Sequence, residues 1–380
     1  MTGSKQPWQR DHRPKGLSGI SSNTRYAATE SFGYSILPCI KLGPSHPIHT
    51  PTRRCYTSLL LLPSKSPLKP SPLPSSSRHF EETLALRLSS LLPIPGHSLQ
   101  VPLPWVARAV HLLALTLASA AALVSDHSLR GPDPDDLVAH LDAGVTLLDA
   151  CNAAFSELAR LEHWLLPLRF VLRLLSHKEP PTKERIRRAQ KAIVEWESTP
   201  SCDIEHSAGM TIRIMAPDEP PRGKVSVVRR ATYAVEAVSR LVMAATMGAI
   251  GKGEAALPHD IRVSSDWPWA EAYNEVAAKV SARVGTAPPN ELEAVEASAR
   301  KLKAVICGEE DGDRMERLGM TVAALERATE ELTDGLDRLM GSVNGAFHAA
   351  MGTRNAALSR LRSAASRHRK QLLHAKPKHY

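Results

Sequence analysis

The chain has 380 residues, enough for one large helical domain or for about two to three domains of ordinary size. Its net charge of +9 is unevenly distributed: residues 1–79 carry +9, residues 80–353 carry −8 and residues 354–380 carry +8. Because the body is acidic, the charge argues against a nucleic-acid groove. Five scattered cysteines without a C-x-x-C pair exclude a disulfide framework and a zinc knuckle.

Residues 1–79 have the composition of a disordered arm, with 14 serines, 11 prolines, 11 basic residues and only two acids. Prolines interrupt helices, and so polar a segment cannot bury enough apolar surface to fold. The arm also resembles an organellar transit peptide, which predicts a chloroplast location. An uncleaved disordered tail, or upstream sequence wrongly included in the gene model, would share this composition. The cytoplasm or the cytoplasmic membrane surface is the alternative location.

The body, residues 80–366, is predicted to be an all-α bundle of long helices. Asp133 is placed to cap a helix that starts at Pro134. Apolar residues then recur at steps of three and four through residues 148–175, which predicts a long helix with one buried stripe. Pro167 is expected to kink or interrupt this helix.

Further start and stop signals follow at helical spacing. Thr182 can cap a short basic helix that ends near Glu197, and the proline- and glycine-rich residues 198–222 predict an internal loop. Three more helices are predicted, over about residues 224–250, from Asp266 and Pro268 to near 285, and over 290–308.

The last predicted helix has the most regular pattern in the chain. Its apolar positions alternate steps of four and three: Leu318, Val322, Leu325, Thr329, Leu332, Leu336, Leu339, Val343 and Ala346. Gly335, Gly341 and Gly345 weaken it as an isolated rod by about 1 kcal/mol each. We therefore expect it to pack lengthwise against the other helices, with an intermolecular coiled coil as the alternative.

Two apolar stretches are candidates for membrane contact. Residues 109–125 and 241–251 are shorter than the roughly 20 apolar residues of a spanning helix, so both are predicted to be buried core helices. The basic tail, residues 367–380, could attract an anionic surface. Peripheral membrane contact therefore stays open.

No motif in the sequence predicts catalysis, a cofactor or a metal. Residues 248–253 have the wrong spacing for a phosphate loop and come where a helix is expected to end. The acidic residues 309–313 lack the spacing of a calcium loop. We predict no catalytic, cofactor-binding or metal-binding residues.

Five stretches of the body, in order, resemble the plant BYPASS family. They are residues 147–161, 223–233, 263–270 with their Trp-Pro-Trp core, 291–302 and 347–362. The resemblance implies a non-enzymatic regulator of root and shoot development. It would prevent constitutive production of a mobile, carotenoid-derived root signal that arrests the shoot. More distant relatives bind the exocyst tethering complex, so the alternative is a peripheral membrane or trafficking adaptor with an exocyst subunit as partner.

Three residues within the resembling stretches are candidates for an interaction site. Trp267 and Trp269 form either an aromatic pair that faces a partner or an anchor that holds a helix start against the bundle, and the anchor is preferred. Asn152 is either a buried polar residue that specifies packing or a residue at the edge of its helix, and the edge is preferred. The sequence does not decide the oligomeric state.

Overall fold

Helices make up all the regular secondary structure of the residues that the computed structural model describes. These residues are 75–92, 101–126, 133–176, 180–198, 220–221, 225–250, 262–283, 290–308 and 313–374. The helices are α1 Ser75–Ser89, α2 Leu103–Ser125, α3 Pro134–Leu175, α4 Lys183–Ser198, α5 Val227–Ile250, α6 Ala270–Ser281, α7 Asn290–Cys307 and α8 Arg314–His374. The prediction of an all-α fold is confirmed.

The start of α3 follows from its capping residues. The Asp133 carboxylate accepts a hydrogen bond from the backbone N–H of Asp135 at 3.1 Å, and Pro134 occupies the first helical position. The helix then runs for 42 residues and continues through Pro167. The expected interruption is therefore wrong. Leu165 and Leu168, on either side of the proline, are completely buried, and their packing offsets a cost of about 3 kcal/mol for a proline inside a helix.

The 61-residue α8 packs lengthwise on the bundle, as predicted. All nine residues of its predicted stripe are buried, and the helix lies against α2, α3 and α7. The burial continues through Ala350, Thr353 and Ala357 to Arg360. Helices of the same chain therefore already cover the face that an intermolecular coiled coil would need.

The two most apolar helices, α2 and α5, are both long enough to cross a membrane by length and composition. In the fold, 89% of the apolar window of α5 and 56% of that of α2 are buried inside the protein. The core of the bundle accounts for this apolar character, in agreement with the prediction for residues 109–125 and 241–250.

The ends of the bundle differ from the predicted boundaries. Helix α1 begins at Ser75, within the stretch predicted as arm, because Phe80, Leu84 and Leu88 form a buried face that continues into its first turn. Helix α8 continues to His374, so the basic tail is helical over residues 367–374. The arm up to residue 74, the loop residues 199–219 and residues 375–380 lie outside the described residues.

Gly335 allows the start of α2 to approach α8 closely. A Cβ atom at this position would lie 3.0 Å from Leu103 Cδ1 and 3.3 Å from Leu103 Cβ, whereas a Cβ at Gly341 would meet nothing within 4 Å. Leu103 is itself buried, so it has little room to move.

We expect Gly341→Ala to raise the free energy of unfolding by about 0.5–1 kcal/mol, because alanine is the better helix former. Gly335→Ala gains the same propensity but compresses Leu103, so it should be less stable than Gly341→Ala. Urea unfolding of the two variants and the wild type measures the difference. Equal stabilisation by both substitutions would show that the α2–α8 contact is looser than described.

Candidate functional site

The two predicted tryptophans lie in the turn that leads into α6, and both are buried. Trp267 is 6% exposed and Trp269 is not exposed at all. Their ring centroids are 6.0 Å apart, and Tyr233 on α5 contacts both rings, at 5.0 Å from Trp267 and 6.0 Å from Trp269. Both side chains are therefore covered by the surrounding helices, and a contact of the tryptophan pair with a partner stays a prediction.

An arginine connects this aromatic cluster to the first helix. The Arg230 guanidinium lies over the Trp267 ring, 4.4 Å from its centroid. The same group donates two hydrogen bonds to Glu81 on α1: Nε donates to Oε1 at 2.6 Å, and Nη2 donates to Oε2 at 2.8 Å. Glu81 is almost completely buried. One side chain of α5 thus joins α1 to the turn before α6.

Tyr273 completes the cluster from α6. Its ring meets Trp269 edge-on at 5.6 Å, and its hydroxyl donates a hydrogen bond to the Ala237 carbonyl at 3.0 Å. Complete burial raises the pKa of the Tyr273 hydroxyl well above its usual value. The phenol therefore stays protonated and serves as a fixed donor. These contacts support the role of a helix anchor for the tryptophan pair.

Breaking the ion pair at its buried end should destabilise the fold. Glu81→Gln leaves the Arg230 charge without its carboxylate, which we expect to cost about 2–3 kcal/mol, near the lower end for buried pairs because Arg230 keeps some contact with water. Glu184→Gln is the control: Glu184 also binds arginine side chains, those of Arg187 and Arg188, but these ion pairs are exposed. Urea unfolding at neutral pH measures both. A Glu81→Gln protein as stable as the control would refute the assigned role of the ion pair.

The third predicted residue, Asn152, lies on the exposed side of α3. Its backbone carbonyl accepts a hydrogen bond from the Ser156 hydroxyl at 3.1 Å. The possibility of a buried residue that specifies packing is therefore wrong. Asn152 does not form one site with the tryptophans, because its side chain faces solvent and theirs lie in the core. Its role in an interaction stays a prediction.

A buried histidine, which the sequence did not indicate, lies between α3 and α5. Thr232 Oγ1 donates its hydrogen to the Val228 carbonyl at 2.9 Å, so it must accept the hydrogen bond from His140 Nδ1, also at 2.9 Å. The second ring nitrogen, Nε2, is buried without a partner among the described residues. Burial lowers the pKa of His140 to about 4.

This histidine should make the fold sensitive to mild acid. Its pKa is about 6.5 in an unfolded chain, so between pH 6.5 and 4 only the unfolded state takes up the proton. Stability from the neutral histidine is present above pH 6.5 and decreases as the pH falls. We expect a loss of about 2 kcal/mol between pH 7.5 and 5.

The measurement compares urea unfolding of the wild type and His140→Gln at these two pH values. Carboxyl groups contribute equally to both proteins, so the difference between their pH dependences isolates the histidine. Identical pH dependences would contradict its burial as a neutral ring.

The described residues contain no group of three or more histidine, cysteine or acidic side chains that could hold a metal ion. Cys151 is buried within α3, and burial raises the pKa of its thiol to about 12. It therefore stays protonated and is a poor nucleophile. Cys307 is exposed at the end of α7, where its sulfur accepts a hydrogen bond from the Gln190 amide at 3.4 Å.

A groove of about 520 Å³ lies between α3 and α4. Trp164 and Trp196 are its buried members, with ring centroids 5.1 Å apart. The other lining residues are His163, Pro167 and Phe170 of α3 and Arg188, Lys191, Ala192 and Glu195 of α4. Sequence analysis missed this groove because it depends on how the two helices pair. The sequence features that could have indicated the groove are the apolar Phe170 and the basic residues of α4.

Two sets of relatives match this helical body. The chain is 28% identical to Protein BPS1, chloroplastic, of Arabidopsis thaliana over 319 residues, which is 80% of this chain and 88% of that protein. It is 30% identical to UPF0496 protein 4 of Oryza sativa subsp. japonica over 243 residues, which is 59% of this chain. The chain is a distant homologue of the plant BYPASS and UPF0496 proteins.

This homology confirms the resemblance found in the sequence. The subspecies indica form of UPF0496 protein 4 is 29% identical over the same length. The match covers 52% of the length of both rice proteins, so the chain spans about half of each. No family model matches the chain, and no solved structure matches it.

Proposed function

We propose that this chain is a non-enzymatic regulator of root and shoot growth that acts through protein contacts. In this role it would prevent constitutive production of a root-derived, mobile, carotenoid-derived signal that arrests shoot development. The similarity to BPS1 carries the proposal, because it extends over 80% of this chain and 88% of the relative. The similarity therefore extends over most of the helical body and is not limited to one short motif.

The buried polar groups of the body are consistent with this proposal. Arg230 and Glu81 bind each other, the Tyr273 hydroxyl binds a carbonyl, and the Cys151 thiol is enclosed by apolar side chains. Each of these groups is therefore engaged within the helix packing. Functional contacts are left to the outer surfaces of the helices.

The proposed location is the chloroplast, with the cytoplasm or the cytoplasmic membrane surface as the alternative. The basic, serine- and proline-rich composition of residues 1–79 and the chloroplastic name of BPS1 support it. A fluorescent protein fused to the C-terminus of the full chain reports the location directly. The same fusion to residues 75–380 is the control, because it keeps every described helix and removes the arm.

Complementation tests the function. The full chain, expressed in Arabidopsis plants that lack BPS1, should restore shoot growth. The chain with Glu81→Gln is a useful comparison, because it weakens the bundle without altering an exposed surface. Failure of the wild-type chain to restore growth, when it accumulates to the level of a BPS1 control, would contradict the proposal.

A second candidate function, a peripheral membrane or trafficking adaptor that binds the exocyst, is supported by the end of α8. Arg360 is the last buried residue of this helix among those whose side chains the structure describes. Beyond it the side chains of Arg362, Arg367 and Arg369 are exposed, and residues 354–380 contain eight bases and no acid. An exposed basic helix end is attracted to anionic lipid headgroups by about 1 kcal/mol per charge.

Deletion of residues 362–380 tests this adaptor. It removes six bases and leaves the buried stripe of α8 intact. We expect the full chain to bind vesicles that contain phosphatidylserine, with an affinity that falls as salt rises, and the deletion to remove this binding. Binding that persists after the deletion, or that salt does not change, would exclude the adaptor. Vesicles of phosphatidylcholine alone are the control.

A further inference from the structure

The groove between α3 and α4 is bounded by two stripes with the spacing of a helical face. On α3 the lining residues His163, Pro167 and Phe170 follow one another at steps of four and three. On α4 the lining residues Arg188, Lys191 and Glu195 follow one another at steps of three and four. Each stripe spans eight residues, or about 10 Å along its helix axis. The groove therefore has the form of a slot into which two turns of a third helix can pack.

Apolar side chains at the groove remain exposed to solvent. Phe170 in its wall is 49% exposed. Leu166, one turn before Phe170 on α3, lies outside the lining of the groove and is also 49% exposed. Clustered exposed apolar residues of this size mark contact surfaces more often than isolated ones do.

The charge of α4 is opposite to that of the surrounding body. Helix α4 contains five bases and three acids, whereas residues 80–353 together carry −8. Glu184 forms ion pairs with Arg187 and Arg188, and Glu197 forms one with Lys303 on α7. Among the described residues no carboxylate pairs with Lys191, which is exposed at the groove. Glu195, in the same wall, offsets part of the positive charge of the groove, so a carboxylate brought by a partner would complement Lys191 itself.

We propose that this groove binds an amphipathic helix of a protein partner, with an apolar face flanked by acidic residues. Leucine-type side chains of that helix contact Phe170, Pro167 and the edges of Trp164, while its carboxylates approach Lys191. This inference rests on the proposed function, because it names the surface through which a regulator without enzymatic activity contacts its partner.

A designed peptide tests the groove directly. The probe is a fluorescein-labelled 16-residue helical peptide with leucines at i, i+3, i+4 and i+7 and glutamates beside them, titrated with the full chain by fluorescence anisotropy. We expect binding to the wild type, and a weakening of about tenfold or more for both Phe170→Ser and Lys191→Glu. A peptide with lysines in place of the glutamates should bind the wild type more weakly and Lys191→Glu more strongly.

Matched controls separate the groove from general surface effects. Leu86→Ser removes a more exposed apolar residue, on α1, and Lys301→Glu reverses an exposed lysine on α7, so both should bind the acidic peptide as the wild type does. Circular dichroism and the thermal midpoint show whether each variant is folded, which we expect since Phe170 and Lys191 are exposed. No binding to the wild type, or equal binding to Phe170→Ser, would overturn the proposal.

Two further results distinguish this inference from its alternatives. If Phe170→Ser weakens binding to anionic vesicles while the peptide does not bind, the surface contacts lipid and the proposal is wrong. If the wild-type chain restores shoot growth and a chain with both Phe170→Ser and Lys191→Glu restores it equally, the groove has no part in a function that itself stands. If the wild-type chain does not restore shoot growth, the proposed function is contradicted. The peptide titration then still shows whether the groove binds an acidic amphipathic helix.

Discussion

Burial of one face of α8 is the constraint on which the bundle depends. The helix is 61 residues long, and its apolar stripe continues from Leu318 to Ala357. An isolated helix of this composition would be weakened by its glycines, so its stability comes from the surfaces of α2, α3 and α7 that cover the stripe. The same helix packs on both α2 and α3, and Gly335 permits the close approach of α2 to α8.

The cluster around Arg230 connects helices that α8 does not join. Its ion pair with Glu81 and its contact with the Trp267 ring bring α1, α5 and the turn before α6 together. Such a buried pair contributes little to stability overall, because desolvation offsets most of its attraction. Removal of either partner would leave the other charge buried without a counter-ion, so the pair favours the arrangement in which α1 and α5 lie side by side. The tryptophan pair is thus part of the packing between α5 and α6.

The main helices could be predicted from the sequence because their signals are local. Asp133 and Pro134 specify the start of α3, and the steps of three and four from Leu318 specify the buried face of α8. The course of α3 through Pro167 could not be predicted in this way, because it depends on packing around Leu165 and Leu168. Neither could the groove, whose walls come from two helices, nor the neutral His140, whose partner is 92 residues away.

Hydrogen exchange along α8, followed by mass spectrometry, tests the central claim most directly. If intramolecular packing stabilises this helix, amides between Leu318 and Ala357 exchange only through unfolding of the whole domain, and therefore slowly. The amides of residues 362–374 should exchange rapidly. The same pattern is expected at every protein concentration. Equally rapid exchange along the whole helix, or protection of residues 318–357 that appears only as the protein concentration rises, would contradict the account.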